Sequence, residues 1–104
     1  MDNARRFSER VAQLRMQKGV SAREMSLALG QGESYVNKIE NCRAYPSMTL
    51  FFYICDYFGI TPKEFFDWEL TDPSRTKALQ SGLERLSPTQ TETILQLIRD
   101  LTKT

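Results

Sequence analysis

The chain contains no histidine. That removes the side chain best suited to acid–base catalysis at neutral pH, and with it the commonest metal ligand. Its two cysteines, Cys42 and Cys55, are too few for a disulfide framework or a four-ligand zinc site. It also lacks a nucleophile–base pair, a glycine-rich phosphate loop and any metal-ligand spacing. No apolar run approaches the ~20 residues that a membrane span requires. Behind Met1-Asp2-Asn3-Ala4-Arg5-Arg6 there is no apolar stretch of the kind a signal peptide carries. Charge of one sign is scarce as well: 14 Lys and Arg face 13 Asp and Glu, a net charge of +1. Residues 1–60 hold eight basic against six acidic side chains, so any basic face has to come from local arrangement. These absences exclude most enzyme and membrane classes. They leave the expectation of a small cytoplasmic binding protein that uses no metal or cofactor.

What is present is helical. At 104 residues, 40% hydrophobic and 26% charged, the chain has the composition of one folded domain, or of one domain with a short appendage. No strand-like alternation of any length occurs, so the expected class is all-α. Phe7, Val11 and Leu14 are spaced for one helix face, and Lys18-Gly19 stops that helix. Ser21-Ala22-Arg23-Glu24 reads as a capping box opening a second helix with Met25 and Leu29, ended by Gly30. A third is expected over about Gly32–Cys42, with Val36 and Ile39 inward. Pro46-Ser47 opens a fourth, through Phe58, closed by Gly59. Thr61-Pro62-Lys63-Glu64 starts a short fifth helix that supplies Phe65, Phe66 and Trp68. After a polar break over Leu70–Ser74, Leu79, Leu83 and Leu86 mark a sixth helix. Ser87-Pro88-Thr89-Gln90 is a further capping box, and Ile94, Leu95, Ile98 and Leu101 mark a seventh. The short joint predicts an antiparallel hairpin.

The second and third helices are joined by a very short turn containing Gly30, and Ser26 is small where they must cross. That is the pattern of a helix-turn-helix, although an ordinary helix pair in a bundle shares it. The resemblance becomes specific through Arg15, Lys18-Gly19-Val20-Ser21, Glu24-Met25-Ser26, Leu29-Gly30, Ser34-Tyr35-Val36-Asn37-Lys38-Ile39-Glu40-Asn41, Pro46-Ser47-Met48, and Phe58-Gly59-Ile60-Thr61 with Phe65-Phe66. In these residues, over positions 7–66, the chain resembles the Cro/C1-type helix-turn-helix (XRE) family. The resemblance implies a five-helix, lambda-repressor-like domain over residues 1–69, with the hairpin of residues 70–104 appended. It also implies a transcriptional regulator, a repressor, that binds double-stranded DNA as a homodimer and places its third helix in the major groove.

Glu33, Ser34, Asn37 and Lys38 match the family's base-reading positions. Chemically, Asn37 suits adenine, Lys38 guanine and Glu33 a cytosine amino group. Ser21 and Arg23 open the second helix, where amides carrying partial positive charge can hold a phosphate. Asn41, Arg43 and Tyr45 follow the third helix, where the family contacts the DNA backbone. Arg15 and Glu40 match a family pair that bridges the first helix to the end of the third. The chain departs from the family at Ala22, where Gln is common, at Gln31, where an apolar residue is usual, and at Glu33, a carboxylate facing the groove. These departures keep a second class open: a protein-interaction adaptor or antitoxin-like protein on the same scaffold.

The fourth helix is apolar nearly all round. Met48, Phe51, Cys55 and Phe58 are expected to form its core stripe, with Leu50, Tyr53 and Tyr57 on a second stripe and Phe52 and Ile54 between. Such a helix is covered on both sides. Leu79, Leu83, Leu86, Ile94, Leu95, Ile98 and Leu101 exceed what one hairpin can hide between its own helices. The expected dimer interface therefore joins the hairpin to Leu50, Tyr53 and Tyr57. Two alternatives remain: a hairpin folded back on its own fourth helix, and one that binds a protein partner.

Overall fold

The computed structural model describes residues 2–103. Among them are seven helices and no strand: α1 (Asn3–Lys18), α2 (Ala22–Ala28), α3 (Tyr35–Glu40), α4 (Met48–Phe58), α5 (Pro62–Phe66), α6 (Pro73–Glu84) and α7 (Pro88–Thr102). The chain is all-α and divides after Ser74 into two compact units.

In the first unit the helix boundaries follow local chemistry. The Asp2 carboxylate accepts from the Arg5 N–H at the start of α1. Ser47 and Thr61 do the same for α4 and α5 through their hydroxyls, and at Thr61 the reciprocal bond from its own N–H to Glu64 completes a capping box. Each satisfies a backbone donor that an α-helix leaves unpaired at its N-terminus. Gly19 and Gly59 end α1 and α4 at φ 75° and 68°, a left-handed conformation that costs a glycine no steric penalty.

The core is built from Val11 and Leu14 of α1, Met25 of α2, Val36 and Ile39 of α3, Phe51, Ile54, Cys55 and Phe58 of α4, Ile60, and Phe65 of α5. Fully burying a large side chain of this kind contributes about 1.5–3 kcal/mol. On α4 the structure corrects the expected stripe. Met48 is 66% exposed, and Ile54 takes its place in the core. The buried set 51, 54, 55 and 58 follows the i, i+3, i+4, i+7 rule, which Met48 also obeys on sequence; at the first turn, however, Met48 lines an open pocket with Phe7, Tyr45 and Phe66 instead of entering the core. Trp68 lies two residues beyond α5, stacked edge-on against Phe66.

Arg10 is buried among these apolar groups. Its guanidinium donates to the carbonyls of Glu64 and Phe65 at 2.8 Å and to that of Asp67 at 3.3 Å, and also to the Gln13 side chain. These are carbonyls at and just beyond the C-terminal end of α5; those of Glu64 and Asp67 also accept from the N–H groups of Asp67 and Leu70, and that of Phe65 depends on Arg10. Arg10 therefore ties α1 to the end of α5 and neutralises a helix terminus at the same time.

The polar break stays with the first unit. Gln17 donates to the Thr71 carbonyl, Ser74 donates to the Phe58 carbonyl, and Pro73 is buried. The units therefore divide a few residues later than the composition change at Leu70 suggests.

The second unit is a helical hairpin. The Ser87 hydroxyl accepts from the Gln90 N–H while the Gln90 side chain accepts from the Ser87 N–H, and Pro88 occupies the first helical position. No residue from 75 to 103 is buried. Among the described residues no helix is long and apolar enough to cross a membrane.

Candidate nucleic-acid interface

The α2–α3 corner is shaped by one hydroxyl. Ser26 is fully buried. Its Oγ donates to the Ala22 carbonyl at 2.7 Å and accepts from the Val36 N–H at 2.9 Å. A serine is small enough to let the helices close, and it both donates and accepts. It supplies the N-terminal cap that α3 does not obtain from Ser34, whose side chain makes no capping bond. Gly30 turns the chain at φ 73°, and the Gln31 N–H returns to the Ser26 carbonyl.

This corner shortens α3. The helix was expected from Gly32 but begins at Tyr35, so Glu33 and Ser34 sit in the turn that leads into it. Both are exposed, as are Asn37 and Lys38 on the helix itself. The opposite side of α3, Val36 and Ile39, is fully buried.

The far end of α3 is held by Arg15 and Glu40. The guanidinium grips both carboxylate oxygens, at 2.6 and 2.9 Å, and donates a third bond to the Val20 carbonyl at 3.0 Å. The two side chains are only 19% and 14% exposed. The hydrogen bond to Glu40 raises the Arg15 pKa above its ordinary value. A bidentate pair this sheltered is a strong form of ion pair, and it fixes the rotation of α3 against α1.

The remaining candidate residues fall into two groups. Near the start of α2, the Ser21 hydroxyl accepts from the Glu24 N–H at 3.0 Å; the reciprocal half of the expected capping box does not form. Arg23 reaches across to Glu33, Nε to Oε2 at 3.3 Å. At the end of α3, the Asn41 side-chain amide donates to the Asn37 carbonyl and to Asn37 Oδ1, at 2.8 and 3.1 Å. That leaves the Asn37 NH2 group free to face outward. Lys38 makes no ion pair among the described residues, and the exposed Arg43 is anchored by its backbone N–H on the Lys38 carbonyl. Tyr45 is half-exposed, its ring edge-on to Phe7, and partial desolvation raises its phenol pKa.

A family model for the helix-turn-helix, HTH_3, matches residues 11–65. The chain belongs to the HTH_3 family, of the Cro/C1 (XRE) type. Comparison with curated proteins and with solved structures returns no match. The HTH_3 family is a DNA-binding regulatory one and generally non-enzymatic, and this chain is a DNA-binding regulator of the XRE type.

The HTH_3 match runs from the middle of α1 to Phe65 of α5, so the hairpin lies outside it. The α4 residues expected at a dimer contact belong to the first unit: Leu50 is half-buried, Tyr53 exposed, and Tyr57 half-buried beneath the Lys18 ammonium, 4.7 Å from its ring centre. In the hairpin, Leu79, Leu83, Leu86, Ile94 and Ile98 line one apolar groove, and Leu101 stands free. Leu97, absent from the sequence expectation, is exposed on the same helix. Three features escaped the sequence: the two hydrogen bonds of Ser26, the Asn41–Asn37 lock and, away from the corner, the buried Arg10. The first two have only small polar residues at helical spacing as a signal, and the third has none.

Proposed function

We propose that this protein is a sequence-specific repressor that binds double-stranded DNA as a homodimer, with α3 in the major groove of each half-site. One observation carries the reading. Asn37 and Lys38 stand exposed on a helix whose other side is fully buried and whose end is bolted by Arg15 and Glu40. Base reading needs polar side chains on a rigid element, and this outward helix face is so constrained. In this reading Asn37, Lys38, Ser34 and Glu33 meet base edges, while Ser21, Arg23, Asn41, Arg43 and Tyr45 meet the backbone. Occupying the groove is enough to occlude other proteins, so repression needs no further chemistry.

Homodimerisation is assigned to the hairpin. A unit of about 30 residues falls below the size at which a chain buries a sufficient core alone. The exposed leucines and isoleucines support a second copy as its cover, and a two-fold pair suits half-sites about 34 Å apart. Selection from a random DNA library with purified protein tests the function: one enriched, two-fold motif is expected. Flat enrichment would overturn it and return the scaffold to a protein-interaction role. Light scattering tests the pairing. Full-length protein monomeric at tens of micromolar, or a dimer that survives removal of residues 75–104, would refute it.

A further inference from the structure

The Arg23–Glu33 contact joins the second residue of α2 to the turn that opens α3. A carboxylate at this place presents a difficulty, because it faces a polyanion. The geometry points to a solution: we propose that Arg23 is the positioning residue that makes Glu33 a reader of an amino-bearing base edge, a cytosine N4 or an adenine N6. The inference rests on the assignment of α3 to the major groove.

Three observations support it. First, the side chains are 71% and 68% exposed, so both are open to an approaching duplex. Second, the contact runs from Nε to Oε2, and neither side chain has another partner among the described residues. The second carboxylate oxygen is left to accept from a base amino group, and the terminal guanidinium nitrogens are left to meet a phosphate. Third, an exposed ion pair contributes little to folding in water. Its attraction grows when DNA displaces that water, since the same charges then interact through a lower dielectric. The pair therefore acts mainly in the complex. Without Arg23 the Glu33 carboxylate meets the phosphates unshielded and swings away from the groove. The neighbouring position 22 is alanine, which offers no polar atom to hold Glu33 instead.

The test is the selected DNA motif of four proteins: the unmodified chain, Glu33→Ala, Arg23→Ala and Arg23→Lys. The unmodified chain is expected to prefer cytosine or adenine at one position of each half-site by about tenfold. Glu33→Ala is expected to erase that preference alone. Arg23→Ala is expected to erase the same preference while the rest of the motif persists, and Arg23→Lys, which keeps the charge, to restore part of it. Circular dichroism checks that each variant is folded. A phosphate contact alone behaves differently. If Arg23→Ala weakens binding uniformly, leaves every base preference intact and lowers the salt slope by about one, the positioning role is wrong although the DNA reading stands. If the unmodified chain selects no motif, the DNA reading itself fails and this inference falls with it.

Discussion

The two units of this protein hold similar residues and treat them differently. In the first, eleven hydrophobic side chains from five helices and their connections are buried. In the hairpin, Leu79, Leu83, Leu95, Leu97, Ile98 and Leu101 are all largely exposed. Each unit has a helix opened by a complete capping box, α5 in the first and α7 in the second. The difference is one of enclosure. Five helices surround a volume, whereas the two helices of a hairpin share only a seam. Amphipathic spacing forms a helix and gives it an apolar side; it does not provide something for that side to face. The first unit therefore encloses its own core, and the hairpin leaves apolar side chains exposed, the surface to which the proposed dimer is assigned.

The largest test of this contrast is a pair of truncations. Ile54→Ala, in the core, is expected to cost about 2–5 kcal/mol of folding stability. Leu101→Ala, at a residue 76% exposed, is expected to change the stability of the first unit by less than about 0.5 kcal/mol. Urea melts followed by Trp68 fluorescence read the first unit alone, because residues 75–104 contain no aromatic side chain. Equal losses would break the contrast.

Arg10→Ala comes next, at roughly 2–3 kcal/mol by the same melt. It strips the Phe65 carbonyl of its partner and takes one of two donors from the carbonyls of Glu64 and Asp67, and an unpaired buried acceptor costs about 1–3 kcal/mol. Lys38→Ala separates reading from folding. It is expected to weaken specific binding by about 1–3 kcal/mol in a gel-shift titration at fixed salt, with the melt unchanged.

The smallest expected effect is alkaline. Burial, with Asp56 nearby, pushes the Cys55 thiol up from 9.0 to about 11, and burial raises Tyr35 and Tyr57 as well. A thiol with a raised pKa in the folded state is held neutral there and ionises more readily once unfolded. Its contribution is fully present below about pH 9 and is lost as pH climbs toward 11. Stability of the first unit is expected to fall through that window, less steeply in Cys55→Ala. The hairpin contains neither cysteine nor tyrosine, so no thiol or phenol of its own titrates there.

Much of the helical plan was legible in the chain. Ser21, Ser47, Thr61 and Ser87 cap the helices that follow them, and Gly19, Gly30 and Gly59 adopt the left-handed turns their positions call for. Such signals work between residues two to four apart, so the sequence contains both partners side by side. The exposed pair Asn37 and Lys38 was legible too, because Val36 and Ile39 mark the inner side of the same turns. Where α3 begins was not: Ser26, ten residues away, caps Val36 and leaves Glu33 and Ser34 in a turn. On α4 the inward Phe51, Cys55 and Phe58 were legible, but the choice between Met48 and Ile54 was not, since a helix apolar all round offers both equally to a core.

The chain by itself determined seven helices and the caps at Ser21, Ser47, Thr61 and Ser87, because each is specified by near neighbours and by side-chain type. Only the tertiary structure decided that Arg10 is buried against the end of α5 and that Arg23 meets Glu33. Those pairings join groups far apart in sequence. Their free energy depends on where packing brings the backbone, and packing is a property of all the helices at once.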